Sequence, residues 1–223
     1  MSRHVIYLHG FASSPRSSKA TWFVQRAADA GAIATAPDLN APDFETLTIS
    51  RMIAQVEDVI ACQPPGPVAL VGSSLGAVVA LHAAAAHDRV ATAHTHPVDR
   101  LVFLAPAFDL VASLEAQFGP AAMESWRRSD ALSVHHYAEG RTRRLHWAFF
   151  EDARRYDAFA VCPGVPTLIF QGLRDEAVDA RMVQRGAADR PSVTLRLLDE
   201  DHQMLGALDT MWAGIRAFLF PAA

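Results

Sequence analysis

Short runs of β-branched and aliphatic residues recur along the chain at His4 to Leu8, Ala32 to Ala36, Val68 to Val71, Leu101 to Leu104, Thr167 to Phe170 and Val193 to Leu197, most of them bounded by Gly, Pro or Asp. Runs this short that stay largely apolar at successive positions predict strands covered on both faces. Helical patterns over Ser17 to Ala30, Phe44 to Ala61, Leu75 to His87, Ala180 to Ala188 and Leu205 to Phe218 alternate with them. In the second of these, Ile49, Ile53, Val56 and Ile60 share one face. Pro64, Pro65, Gly66 and Pro67 then stop it. Strands alternating with amphipathic helices predict an α/β fold: a mostly parallel sheet of about six strands with helices on both faces.

The alternation breaks once. About 60 residues separate the strand ending near Leu104 from the one beginning near Thr167, several times the length of a simple connection. This stretch is rich in aromatic residues, Trp126, Trp147 and Phe150 among them, and its many arginines are nearly balanced by acids. It reads as a small helical cap inserted at about 109–162, with the aromatic residues as its own core. A chain of 223 residues, 51% of them hydrophobic, can bury a sizeable core but is short for two domains, so residues 1–223 read as one.

Charge removes several function classes. A formal net charge of -4 without clustered Lys and Arg leaves no footprint for nucleic acid or an anionic membrane. Lys19 is the only lysine among the 20 basic residues. Met1 to His4 run straight into Val-Ile-Tyr-Leu without the pattern of a secretory signal, which predicts a cytoplasmic protein. No apolar run reaches the roughly 18 to 20 residues of a membrane span. Cys62 and Cys162 lack metal or redox spacing and are expected to be buried thiols.

The segment Val68-Ala-Leu-Val-Gly72-Ser73-Ser74-Leu75-Gly76 joins an apolar strand to a helical pattern through G-x-S-x-G. That is the context of a nucleophile elbow, which places Ser74, not Ser73, at the apex of a sharp turn and points to the α/β-hydrolase fold. Gly72 and Gly76 leave room for the backbone to close around it. At the helix N-terminus the Leu75 N–H faces the charge that develops during acyl transfer. The first strand ends His9-Gly10-Phe11, from which the Phe11 N–H is expected to be the second oxyanion donor. His9 is read as ordering the backbone.

A serine hydroxyl needs a neutral imidazole to take its proton, and the chain order Ser, acid, His puts that base after the last strand. His202 stands there, and Asp175 follows the strand at Thr167 to Phe170, where a carboxylate can hold the imidazole tautomer. Asp109 is the serious rival as the acid; Glu176, Asp199 and Asp201 are further competitors. His94-x-His96 and His135-His136 lack a zinc-type spacing and read as solvated loops, so no metal is expected. Arg16 and Lys19 read equally as attracting an anionic substrate or as capping and solvating the next helix.

The run His9-Gly-Phe-Ala-Ser-Ser-Pro-Arg-Ser-Ser-Lys-Ala20, with Pro37-Asp38-Leu39 and the Gly72 to Gly76 elbow, resembles the YqiA-like esterase family of α/β-hydrolases. The resemblance spans nearly the whole chain. It implies cofactor-free hydrolysis of carboxylic esters, with Ser74 as nucleophile, Asp175 and His202 completing a triad, and Phe11 and Leu75 as oxyanion donors. The arginine-rich segment from about Gly119 to Tyr156 departs from the family's compact form.

These observations lead to the expectation of a serine hydrolase acting on a small ester or thioester through an acyl-serine. The same residues also allow acyl transfer or carbon-carbon bond hydrolysis, and a noncatalytic binding protein is the alternative from another class.

Overall fold

A computed structural model describes residues 2–90, 96–162, 164–188 and 190–221. The first part of the chain runs β1 (His4–Leu8), α1 (Ser18–Asp29), β2 (Ile33–Thr35), α2 (Ile49–Ala61), β3 (Val68–Ser73), α3 (Leu75–Val90) and β4 (Val98–Leu104). An insert follows: α4 (Leu110–Ser129), β5 (Leu132–His136), β6 (Arg141–Leu145) and α5 (Ala148–Ala153). The chain returns through β7 (Thr167–Gly172), α6 (Ala180–Ala187), β8 (Val193–Leu198), a 3-10 turn at Leu205–Ala207 and α7 (Leu208–Leu219).

Six strands form one sheet in the order β2-β1-β3-β4-β7-β8, every adjacent pair parallel. Because side chains alternate along a strand, the sheet feeds two cores. Ile6, Leu8, Leu70, Phe103 and Ile169 pack toward α2 and α3; Val5, Tyr7, Val71, Leu104 and Phe170 pack toward α1 and α7. The helices meet them with Met52, Val56 and Ile60 on one side and Phe23, Met211 and Ile215 on the other. Each such buried side chain is worth about 1.5–3 kcal/mol relative to exposure. Parallel strands all end on one edge of the sheet, where the loops that carry chemistry gather.

Helix α2 starts later than its apolar pattern suggests. Phe44 and Leu47 are buried from a loop, and the helix begins where Thr48 Oγ1 accepts from the Arg51 N–H at 3.2 Å. The insert is helical in part only, because β5 and β6 pair as an antiparallel hairpin. Only one face of that hairpin is buried, through Val134, His136 and Leu145. Apart from the partly buried Leu132, its short strands otherwise carry polar residues, and its turn holds Gly140 at a φ of +63°. The long helix α4 breaks at Gly119 (φ +72°) and resumes at Pro120, a residue suited to a first helical turn. Trp126 ties α4 to the hairpin by donating from Nε1 to the Leu145 carbonyl at 2.9 Å. Insert and sheet share one core, in which Leu114, Trp126, Phe149 and Phe150 join the α2–α3 side.

Candidate active site

β3 hands over to α3 through Ser74, whose φ of +53° is left-handed. A non-glycine residue there costs about 1–2 kcal/mol, so the surroundings must hold it. The Ser74 N–H donates to the Leu104 carbonyl at 2.9 Å, and its carbonyl accepts from the N–H groups of Ala77 at 3.1 Å and Ala107 at 3.3 Å. The flanking glycines are required by space. A Cβ on Gly72 would strike the Gly76 carbonyl and come within 2.5 Å of Ala77 N; one on Gly76 would strike the Leu8 carbonyl.

At the ends of β7 and β8, His202 Nδ1 and Asp175 Oδ2 lie 2.8 Å apart, with the Asp175 side chain wholly buried and that of His202 25% exposed. The other carboxylate oxygen accepts from the N–H groups of Ala177 at 2.9 Å and Val178 at 2.8 Å. Gln171 Nε2 donates to Oδ2 at 3.0 Å. Burial pushes this carboxyl upward, but the hydrogen bond and charge of His202, with the Val178 and Gln171 donors, hold it below the ordinary carboxylate range. An ionised Asp175 can only accept, so Nδ1 carries a proton toward it, and in a neutral ring Nε2 is then the acceptor. The His202 loop is itself held by Asp201, whose Oδ1 accepts from the N–H groups of Gln203 and Met204 at 2.8 and 3.0 Å. Met204 takes a left-handed φ of +49°.

Ser74 and His202 line one cavity of about 470 Å³, within the range of small-molecule sites. Phe11 and Leu75 line it too, and among the described residues neither backbone N–H has an acceptor. Leu114 and Phe118 from the insert, with Phe149, form an apolar wall; Ser13, Ser17, Lys19 and Gln203 form a polar one. A more open cleft of about 640 Å³ adjoins it through Ser13, Ser17, Ser18, Tyr137 and Gln203, but contains neither Ser74 nor His202.

The remaining sequence candidates fall elsewhere. His9 is buried, accepting at Nε2 from the Leu39 N–H at 3.1 Å, which assigns the proton to Nδ1 beside the Gly10 carbonyl at 2.9 Å. Asp109 faces Arg185 at 3.9 Å on a different cleft. Glu176 is exposed, and Asp199 pairs with Arg174 at 2.7 Å. His136 is not a solvated loop residue: it is 1% exposed and meets the Phe44 ring edge-on at 4.9 Å. His94 lies outside the described residues, while His96 Nε2 contacts the Gln63 carbonyl at 2.7 Å. The cysteines are free but exposed, contrary to the expectation of burial, because Cys62 caps the end of α2 and Cys162 sits in a loop. Arg16 is exposed and lines the adjoining cleft, whereas Lys19 is only 7% exposed. Gln171 escaped the sequence reading altogether; its one signal is its place four residues before Asp175 at the end of an apolar strand. Among the described residues, no helix is long and apolar enough to cross a membrane.

A six-stranded parallel sheet flanked by helices, with a strained serine after its third strand, defines the chain as an α/β-hydrolase-fold protein. The chain belongs to UPF0227, an uncharacterised protein family, which matches residues 4–219 and corresponds to the YqiA-like resemblance read from the motifs. Among solved structures, it is similar to a candidate hydrolase from Agrobacterium vitis S4, with 25% identity and a TM-score of 0.85, covering 97% of this chain and 87% of that one. Alpha/beta hydrolase domain-containing protein 10 from mouse has a TM-score of 0.78 at 22% identity, covering 97% and 89%. Est1E from Butyrivibrio proteoclasticus, in a structure with ferulic acid bound, has a TM-score of 0.77 at 17% identity, covering 97% and 88%. No curated protein matches the sequence.

Proposed function

We propose that the protein is a serine hydrolase that cleaves a carboxylic ester or thioester through an acyl-Ser74 intermediate. The observation that carries this reading is the 2.8 Å contact between His202 Nδ1 and the buried Asp175, on the wall of the cavity that also exposes the strained Ser74. His202 Nε2 takes the Ser74 proton as Oγ attacks the carbonyl carbon, and Asp175 stabilises the imidazolium without taking its proton. The oxyanion is met by the N–H groups of Phe11 and Leu75. His202 then returns the proton to the leaving alcohol or thiol. Water, deprotonated by the same imidazole, releases the acid and restores Ser74. Ser74, His202, Phe11 and Leu75 line the cavity and Asp175 lies buried against His202, and no step of this scheme needs a cofactor.

The decisive experiment measures hydrolysis of short- and long-chain aryl esters by wild type and Ser74→Ala, with phosphonate labelling read by mass spectrometry. Serine-dependent turnover and a label on Ser74 are expected, and the chain-length preference sizes the acyl site. An unlabelled Ser74 with equal rates in both proteins would instead favour a binding protein on the same fold. Transfer to an added alcohol in place of water would redirect the reading to acyl transfer.

A further inference from the structure

Lys19, the chain's only lysine, is placed against the usual rules for a cation. It is 7% exposed, yet among the described residues it has neither a salt bridge nor a hydrogen bond. It lies in the first turn of α1, where the helix dipole favours negative charge and disfavours a cation. The Ser17 side chain caps the Ala20 N–H, and the Ser17 carbonyl takes that of Thr21, leaving the N–H groups of Ser18 and Lys19 without a helical acceptor. An ammonium on a largely buried side chain beside a helix N-terminus, without a direct partner and with only the longer-range pull of Asp201 and Asp175, is disfavoured on its own. Each of these features becomes favourable once an anion is present.

The wall in question belongs to the cavity that holds Ser74 and His202. We propose that Lys19 and the first turn of α1 form an anion subsite for the substrate, so that the ester or thioester cleaved here carries a carboxylate on one arm and an apolar group on the other. The apolar arm fits the wall of Leu114, Phe118 and Phe149, and the carboxylate fits the wall of Ser17, Ser18 and Lys19. Burial lowers the Lys19 pKa to about 8 against the opposing pull of Asp201 and Asp175, so the group remains a cation at neutral pH. Both carboxylates are otherwise engaged: Asp175 contacts His202, and Asp201 holds the following turn. The inference rests on the hydrolase reading for the word ester, but not for the anion site.

Two measurements separate the two claims. The first compares kcat/KM for 4-nitrophenyl butyrate with that for the 4-nitrophenyl monoesters of succinate and glutarate, and for 3-carboxy-4-nitrophenyl butyrate, which carries the carboxylate on the leaving group. A charge-assisted contact predicts that one carboxylated ester is preferred, and that Lys19→Met lowers its ratio to the neutral ester about ten- to hundredfold. Lys19→Gln should lower it similarly, and Lys19→Arg should restore it. A purely structural lysine would change rates for charged and neutral esters alike; an unchanged ratio in Lys19→Met and Lys19→Gln overturns the proposal. The second measurement needs no turnover. A sample grown with carbon-13 lysine gives one side-chain signal, and glutarate added to the protein should shift it and raise its pKa, with glutaramide as the neutral control. No response to glutarate refutes the anion site even where ester hydrolysis is robust, whereas a response without any esterase activity refutes only the hydrolase reading.

Discussion

Replacing Asp175 by Asn tests the proposed relay at a single atom. The two carboxylate oxygens have different duties: Oδ1 accepts the N–H groups of Ala177 and Val178, and Oδ2 faces His202 Nδ1 and Gln171 Nε2. An asparagine must choose. With its carbonyl toward the two backbone donors, its NH₂ points at His202 and obliges Nδ1 to accept. The imidazole proton then moves to Nε2, the atom that should receive the Ser74 proton. The opposite orientation turns the NH₂ toward the N–H groups of Ala177 and Val178, leaving the part-buried Val178 N–H facing a donor at about 1–3 kcal/mol, whereas in the first Gln171 Nε2 loses one acceptor but keeps the Gly172 and Val178 carbonyls, so the first is favoured. A reversed tautomer in a serine-hydrolase triad costs about 10⁴ in kcat, equivalent to about 5.4 kcal/mol of barrier. Steady-state kinetics on an aryl ester should therefore show kcat collapsing with KM little changed, while Asp109→Asn stays close to wild type. Near-normal turnover in Asp175→Asn, with loss in Asp109→Asn, would refute the assignment of the acid.

Three further outcomes are expected. Gly76→Ala should cost about 3 kcal/mol or more in urea unfolding, because its Cβ meets the carbonyls of Leu8 and His9 and the β1–α3 contact must open; a variant as stable as wild type would contradict the packing. Gln171→Leu removes the donor shared by Asp175, Gly172 and Val178, so stability should fall by about 2–3 kcal/mol and kcat should fall more than KM changes; unaltered kcat would show that Gln171 does not position the acid. The Asp175 carboxyl titrates below its ordinary range in the folded chain and near 3.9 when unfolded. Its stabilisation is thus complete above about pH 4 and is lost as pH falls through the lower folded value. The Tm of wild type should decline more steeply than that of Asp175→Asn below about pH 4, and parallel curves would argue against an ionised Asp175.

What could be read in the sequence, and what could not, follows from the range of the forces involved. Strands buried on both faces are written as apolar runs, so β1, β3 and β7 were placed to within two residues at their ends. The turn at Ser74 was legible because it needs glycines at fixed offsets, a local steric demand. The hairpin β5–β6 was not, since only Val134, His136 and Leu145 bury and its arginines mask the period of two. Cap chemistry overrode periodicity at Thr48, where Phe44 and Leu47 serve the core without being helical.

The site divides along the same line. Ser74 is picked out by its glycine elbow and His202 by chain order, but whether Asp175 or Asp109 faces the imidazole depends on which strand end lies beside which, a property of the assembled sheet. The structure brings Asp175 to His202 and leaves Asp109 with Arg185. Gln171 and Lys19 were harder still, because neither belongs to a motif whose spacing has a meaning of its own. Gln171 matters because all three groups facing its Nε2 are acceptors, while its Oε1 is buried without a partner. That asymmetry fixes the amide's orientation and makes it a donor to Asp175. Lys19 matters because burial, helix polarity and the lack of a direct salt-bridge or hydrogen-bond partner coincide at one position, each of which a sequence alone leaves open. Local rules broken together, with the compensation missing from the chain itself, are the mark of a place where the compensation arrives with a ligand.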